Sequence, residues 1–283
     1  MLQAVVASTL TRRALDEEPP PLIVGTSTNN QAVTNIIDAF ASVTKEEPGP
    51  LDHRWLPQAQ DGAAGDAPMT SLAVYCPSKA KWNEAARKYL VEDDSRAGVY
   101  ADHSDEAYLE AARDRFVTKA FEYFGSASDV AGLRTLLHEA LCEVDETRRW
   151  LLATMATEGP GTRYADLCQR VLTNPLLSGL EHLTELPMCR DLESLDAELD
   201  RTLRYVAFWL AVHYYEAYWL EAEFLPENER WKNTRRTMDT YWSQAPALTP
   251  CFVMTAYQVP KYFELYAKTG EPRPFDIGRI DLL

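Results

Sequence analysis

The sequence lacks the features of a secreted or membrane-spanning protein. It has five cysteines, an odd number, and none lies in a Cys-x-x-Cys pair, which argues against a disulfide framework and a zinc ribbon. The most apolar stretch, 205–220, includes a histidine and a glutamate and is shorter than the ~20 residues of a membrane-spanning helix. No basic flank precedes the first apolar residues, so we expect no secretory signal. These absences predict a cytoplasmic protein with reduced thiols and no membrane partner.

Positive charge is also scarce. The 283 residues include 28 Lys and Arg against 43 Asp and Glu, a formal net charge of −15. This balance excludes a chain-wide basic surface that binds nucleic acid by releasing counterions, and it leaves room only for a local site. Because 46% of the residues are hydrophobic, the chain can bury a sizeable core.

The first 40 residues have an α/β pattern. Residues 1–18 have helical spacing and are followed by three consecutive prolines, which end a helix. Residues 22–24 form a short, wholly apolar run, typical of a strand covered on both faces in a parallel sheet. A polar loop at 25–30 then leads into a second helical pattern at 31–40.

The middle of the chain predicts mainly helices. Glycine-rich residues at 60–66 indicate a loop. One predicted helix has a stripe of apolar residues expected to be buried: Leu109, Ala112, Phe116, Ala120 and Tyr123. The longest pattern runs from Leu192 to Phe224 with apolar residues three or four positions apart. It predicts a single stalk-like helix about 50 Å long.

The chain returns to an α/β pattern at its end, with apolar strands predicted at 251–255 and from 280 onward. Most of the net negative charge and all seven tryptophans fall between these terminal parts. The sequence therefore predicts an α/β frame formed by 1–45 and 249–283, interrupted by an acidic, mainly helical insertion at 46–248. The protein as a whole is expected to be predominantly helical.

The first strand and its loop carry a resemblance to a known family. Residues 21–37 read Pro-Leu-Ile-Val-Gly-Thr-Ser-Thr-Asn-Asn-Gln-Ala-Val-Thr-Asn-Ile-Ile. They resemble motif Ia of superfamily 1 helicases, in which a buried strand leads to a Ser/Thr-Asn-x-Ala-Val turn and a helix. The match covers Asn30-Gln31-Ala32-Val33. Asn29 stands where the family usually has Ser or Thr, which leaves Thr28 to supply the hydroxyl.

The resemblance implies that Thr28, Asn29, Asn30 and Gln31 contact single-stranded nucleic acid. A polar loop at a helix N-terminus offers amides and short side chains to a phosphate. The residues themselves equally allow an ordinary strand-to-helix turn capped by Asn or Thr.

The flanking segments extend the resemblance. Residues 1–8 look like the helix after a Gly-Lys-Thr phosphate loop, and 280–283 look like the strand before the acidic metal-binding motif. Residues 249–257 resemble the next core strand, which implies that Thr255 lies near the nucleic-acid face. The implied fold is the remnant of a RecA-like parallel sheet interrupted by the helical insertion.

The nucleotide-binding residues of that family are missing from this sequence. It contains no Gly-Lys pair and no Asp-Glu pair after an apolar strand. ATP hydrolysis on this fold needs a lysine for the phosphates and a hydroxyl and an acid for Mg²⁺. ATP and Mg²⁺ are cofactors of the parent family, and we expect this chain, as a helicase fragment lying between the two motifs, neither to bind nor to hydrolyse ATP alone.

Two other functions remain open from the sequence. The predicted long helix is typical of an independent interaction module, with a helical protein partner or self-association. The second alternative is an enzyme with an active site around His213. However, a single histidine with Glu216 three positions later indicates a packed polar pair rather than a metal site.

Two further clusters have a structural and a functional interpretation. Six aromatic residues could stack bases, but core packing is favoured in this acidic setting: Phe208, Trp209, Tyr214, Tyr215, Tyr218 and Trp219. Four basic residues surround Trp231, and they form either a phosphate-binding patch or an ordinary charged surface: Arg230, Lys232, Arg235 and Arg236.

Overall fold

The computed structural model describes residues 2–40, 49–60, 63–158, 192–268 and 271–282. Over these residues the chain is predominantly helical, with a small parallel sheet and one antiparallel hairpin. No helix among them is both long and apolar enough to cross a lipid bilayer.

The elements follow one another in a mixed order. The helices are α1 Leu2–Leu15, α2 Asn30–Phe40, α3 Trp82–Ala85, α4 Val99–His103, α5 Glu106–Phe124, α6 Val130–Glu158, α7 Leu192–Arg201, α8 Leu203–Leu220, α9 Glu227–Arg230, α10 Arg235–Leu248 and α11 Val259–Phe263. The strands are β1 Ile23–Ser27, β2 Pro57–Gln60, β3 Ala63–Pro68, β4 Ala73–Cys76 and β5 Cys251–Thr255. Short 3₁₀ turns occupy Lys79–Lys81 and Ile277–Arg279.

The parallel sheet has the strand order β1-β5-β4, so β5 is the central strand. Single parallel bridges add Val91 beside β4 and Leu282 beside β1. The strands predicted at 22–24 and 251–255 are thus confirmed, but β1 continues to Ser27 and α2 begins at Asn30, so the loop predicted at 25–30 is reduced to residues 28–29. The strand pattern predicted at 280–283 corresponds to the bridge at Leu282, and residue 283 lies outside the described residues.

Both faces of the sheet are covered, which explains why the buried parts of its strands, at 23–24, 73–76 and 251–254, are apolar rather than alternating. On one face, α2 approaches so closely that a Cβ on Gly25 would lie 3.2 Å from Ile36. On the opposite face, the Trp242 ring of α10 packs against Phe252 of β5, with ring centroids 5.1 Å apart.

The helical core centres on α8, which packs against α1, α6, α7 and α10. Fifteen of its residues are buried, including all from Val206 to Ala217. The stripe predicted for α5 is confirmed, since all five residues are buried. Asp105 caps the start of that helix, and Gly125 ends it with a φ of 67° that suits glycine.

The single long helix predicted from Leu192 to Phe224 is wrong. The chain leaves helical geometry at Thr202, with φ −124° and ψ −98°, and α8 ends at Leu220. The reason is burial: α8 is apolar and aromatic around its whole circumference, so it lies inside the core rather than projecting as a stalk.

The prediction of a loop at 60–66 is also wrong for the residues that the structure describes, which are 60 and 63–66. Residues 61–62 lie outside the described residues. The segments on either side of them form the antiparallel strands β2 and β3, with Ala59 opposite Ala64. Small residues allow this close approach, because a Cβ on Gly65 would lie 3.0 Å from the carbonyl oxygen of Gln58.

The sheet contains a strand from within the predicted insertion. β4 lies inside 46–248, yet it pairs in register with β5, with Ala73 opposite Cys251. The boundary at 45–46 lies outside the described residues, and the division into 1–45, 46–248 and 249–283 stays a prediction.

Candidate nucleic-acid interface

The parallel strands end side by side at one edge of the sheet. Ser27 at the end of β1 lies opposite Thr255 at the end of β5. The backbone N–H of Ala256 donates to the carbonyl oxygen of Ser27 at 3.0 Å, so the pairing continues past the strand ends. The structure therefore brings the loop that begins at Thr28 next to Thr255. In open α/β sheets, ligands bind outside this carboxyl edge.

The side chain of Asn29 caps α2. Its Oδ1 accepts a hydrogen bond from the N–H of Gln31 at 2.9 Å, and its own N–H donates to the Ser27 hydroxyl at 3.1 Å. Its carbonyl oxygen accepts from the N–H of Val33. Asn29 therefore has a structural role, and Ser27, which the sequence analysis did not select, supplies the hydroxyl that orders this turn.

The other predicted contact residues face outward. Thr28, Asn30 and Gln31 are exposed, and Thr255 is partly exposed. The Gln31 amide donates to Oδ1 of Asn35 on the same helix at 3.0 Å. Thr28, Asn30 and Thr255 thus lie accessible at one edge, beside the first turn of α2, where backbone N–H groups carry partial positive charge.

Sequence reasoning missed several residues at this edge. Tyr257 follows β5 and is 78% exposed, and Lys261 is exposed on α11. Lys79 and Lys81 follow β4 and are also exposed. The available signal was the apolar run Leu72-Ala73-Val74-Tyr75-Cys76 before a proline, because it has the same character as the run that forms β5.

A cavity of about 290 Å³ opens between the segments that follow β4 and β5. We call it the edge cleft and define it by five of its lining residues, namely Lys79, Trp82, Asp93, Asp94 and Lys261. Behind it, the hydroxyl of Tyr262 donates to the carbonyl oxygen of Glu92 at 2.7 Å. This buried bond ties the wall that follows β5 to the wall that carries the two aspartates.

Ionisable groups beneath the edge cleft are shifted by burial. Burial raises the pKa of Glu92 to about 7. Hydrogen bonds from the backbone N–H groups of Tyr100, Gly98 and Asp93 oppose this rise, because they favour the ionised carboxylate. Burial also raises the pKa of the Cys76 thiol well above its ordinary value. Cys76 therefore stays protonated and is a poor nucleophile.

His213 lies in the core, away from solvent, with its side chain fully buried. Its Nδ1 is 2.7 Å from Oε2 of Glu216, and its Nε2 is 3.0 Å from the carbonyl oxygen of Leu51. The interpretation of His213 and Glu216 as a packed polar pair is confirmed. In the part of the chain that the structure describes, no group of three or more His, Cys, Asp or Glu is arranged to hold a metal ion.

The Glu216 carboxylate is the centre of a larger buried network. Nε of Arg54 donates to its Oε1 at 2.5 Å, and the N–H groups of Trp55 and Leu56 donate to its two oxygens. Burial alone would raise the pKa of Glu216, but the Arg54 charge and the His213 hydrogen bond lower it to about 2. The side chains of Arg54, His213 and Glu216 are all buried, so this network lies inside the core, away from the surface.

The remaining sequence clusters are accounted for by packing and ion pairs. The six aromatic residues on α8 are buried, except that Tyr218 is partly exposed, so core packing is confirmed. In the basic patch, Arg235 pairs with Asp276 at 2.8 Å, and Arg230 donates to the carbonyl oxygen of Leu225. Trp231 is 64% exposed.

Comparisons of the chain with protein-family models, with curated proteins and with solved structures found no match in any of the three. The resemblance to superfamily 1 helicases therefore rests on the residues of the sequence itself.

Proposed function

We propose that this chain contacts single-stranded nucleic acid across the carboxyl edge of its parallel sheet, as a RecA-related segment of a superfamily 1 helicase-like ATPase. The supporting observation is the in-register pairing of β1 with β5, which places Ser27 opposite Thr255. Two segments that the resemblance assigns to the nucleic-acid face thereby become neighbours, although more than half the chain separates them.

The chemistry of the edge suits a flexible strand. The hydroxyls of Thr28 and Thr255 and the amide of Asn30 donate to phosphate or sugar oxygens, together with N–H groups at the start of α2. The exposed ring of Tyr257 offers a face for stacking a base, and Lys261 supplies positive charge. Because few cations lie here and the whole chain is acidic, we expect weak binding whose affinity falls only shallowly as the salt concentration rises.

Fluorescence anisotropy with labelled 20-nucleotide oligo(dT) and oligo(U) tests the proposal at low ionic strength. The double variant Thr28→Ala/Asn30→Ala should bind at least ten-fold more weakly than the wild type, since the loss of even one hydrogen bond to a charged phosphate costs ~1.5 kcal/mol or more and ~1.4 kcal/mol is a ten-fold change. Thr118→Ala/Asn228→Ala is the matched control, because both residues are exposed on other helices. Equal affinity of the two double variants, or no binding by the wild type, contradicts the proposal.

We also propose that the chain does not hydrolyse ATP by itself, because it has no Gly-Lys pair to hold the phosphates. Phosphate release should equal that of a mock preparation, with and without the oligonucleotides. Turnover above that background means that the chain contains a nucleotide site of another kind.

A further inference from the structure

The edge cleft lies where the chain connections of the sheet diverge. From β4 the chain leads outward to the bridge at Val91, away from β5. From β5 it leads the opposite way, past β1 to the bridge at Leu282. When neighbouring parallel strands connect in opposite directions, a crevice opens between their carboxyl ends, and α/β proteins bind ligands in such crevices.

The lining of the edge cleft combines three kinds of group. Lys79 and Lys261 are exposed cations on its two sides, and Trp82 is a partly buried aromatic ring. Asp93 and Asp94 are partly exposed carboxylates. A simple anion would be repelled by the aspartates, and a purely apolar ligand would give no partner to the charges of Lys79, Lys261 and Asp94.

A nucleotide matches this combination. It carries a phosphate for the lysines, a flat ring for Trp82, and amino and hydroxyl donors for the carboxylates. The cavity volume of about 290 Å³ is just below the ~300–1,000 Å³ of ordinary ligand sites, so it suits one nucleoside unit and no larger ligand.

The wall that carries the aspartates is fixed before any ligand arrives. Oδ1 of Asp93 accepts hydrogen bonds from the N–H groups of Ser95 at 2.9 Å and Ala97 at 3.0 Å. The bond from Tyr262 to Glu92 joins this wall to α11, which carries Lys261. A preorganised cavity loses little conformational entropy on binding.

We propose that the edge cleft holds one nucleotide of the bound strand, with its base against Trp82 and its phosphates beside Lys79 and Lys261. This inference rests on the proposed function, since the strand that crosses Thr28 and Thr255 is the one whose nucleotide enters the edge cleft. The inference gives the segment after β4 a role in binding the strand. That segment lies outside the residues that resemble motif Ia.

Oligonucleotide binding by Trp82 variants tests the proposal. Trp82→Ala should weaken binding of the labelled 20-mers about ten-fold, consistent with ~1–3 kcal/mol for one stacked base. Trp82→Phe should restore most of the affinity, because it keeps an aromatic face. Trp231→Ala is the matched control, since Trp231 is exposed outside the edge cleft and should not affect binding.

The two lysines give an independent measurement. Lys79→Ala/Lys261→Ala should weaken binding and reduce the slope of log affinity against log salt by about one to two. Lys119→Ala serves as the control, because Lys119 lies on α5 and pairs with Glu122. Circular dichroism and unfolding midpoints of every variant establish that the fold is retained.

The outcomes separate the two proposals. If the wild type binds and the Trp82 and lysine variants bind equally well, the inference is overturned and the proposed function stands. If the wild type does not bind either oligonucleotide, both fail. If calorimetry shows that free AMP binds as tightly as the 20-mers and that Trp82→Ala abolishes this, the cleft is a mononucleotide site, and its assignment to the strand is overturned.

Discussion

The indole ring of Trp55 lies flat on the imidazole ring of His213, with ring centroids 3.8 Å apart and planes inclined by 8°. The same histidine meets an oxygen acceptor at each ring nitrogen. Arg54 also donates a hydrogen bond to Glu216. The residues around Glu216 therefore form a hydrogen-bonded polar cluster inside an aromatic core.

Replacing Glu216 should destabilise the protein strongly. Glu216→Gln keeps the size of the side chain but leaves Arg54 buried without a counter-charge, which costs about 3 to 5 kcal/mol. Glu221→Gln is the matched control, because Glu221 pairs with Arg134 at 3.0 Å near the surface. The Glu221→Gln substitution should change the free energy of unfolding, measured in urea, by less than ~1 kcal/mol. Similar effects of the two substitutions would show that the buried network contributes little.

The stabilisation from Glu216 should depend on pH in one direction. Its pKa is about 2 in the folded protein against an ordinary value of 4.5, so the unfolded chain binds the proton more readily. The contribution is therefore complete above pH 4.5 and is lost as the pH falls towards 2. The difference in unfolding free energy between the wild type and Glu216→Gln should shrink over that range. A constant difference from pH 6 to pH 2.5 would contradict the lowered pKa.

Asn29 and Asn30 are adjacent, yet they should respond differently to substitution. Asn29→Ala removes the cap of α2 and should lower the free energy of unfolding by ~1 kcal/mol. Asn30→Ala should change stability by less than ~0.5 kcal/mol, because its side chain is exposed. Thermal unfolding gives the first readout, and oligonucleotide anisotropy gives the second. We expect Asn30→Ala to lose affinity for the oligonucleotides without losing stability. If Asn30→Ala lost stability and Asn29→Ala did not, the roles given to the two asparagines would be contradicted.

Gly98 should tolerate no side chain. A Cβ there would lie 2.2 Å from the carbonyl oxygen of Val91, which belongs to the backbone and cannot rotate away. Gly98→Ala should therefore lower the unfolding free energy by about 1–3 kcal/mol. Gly278→Ala is the control, since its Cβ would meet nothing within 4 Å. An unchanged urea midpoint for Gly98→Ala would show that the segment shifts freely.

The sequence predicted those elements whose signals are local. β1 and β5 are short apolar runs beside clear turn residues, and the α5 stripe has helical spacing. β4 is an apolar run of the same kind as β1 and β5, and it was missed because it lies within a part of the sequence whose pattern is mainly helical. The break at Thr202 was missed because the apolar spacing continues through it, while the backbone geometry is set by packing around α8.

The candidate site shows the same limit more sharply. The predicted contact residues from Thr28 to Gln31 are consecutive in the sequence, so sequence reasoning could propose them as one group. The edge cleft takes Trp82, Asp94 and Lys261 from three separate segments, and only the strand order brings them together. No spacing along the chain encodes that proximity.

The central position of β5 has a consequence for how the molecule assembles. β1 and β4 do not pair with one another in the sheet order, and each depends on Cys251–Thr255, which is synthesised long after both. Closing such distant contacts is slow, so α6 and α8, which are closer in sequence, should pack before the sheet forms. A ribosome-bound chain that has not yet emerged beyond Leu248 would thus display β1 without a neighbouring strand and β4 paired only with the segment at Val91, a form exposed to aggregation and to chaperones.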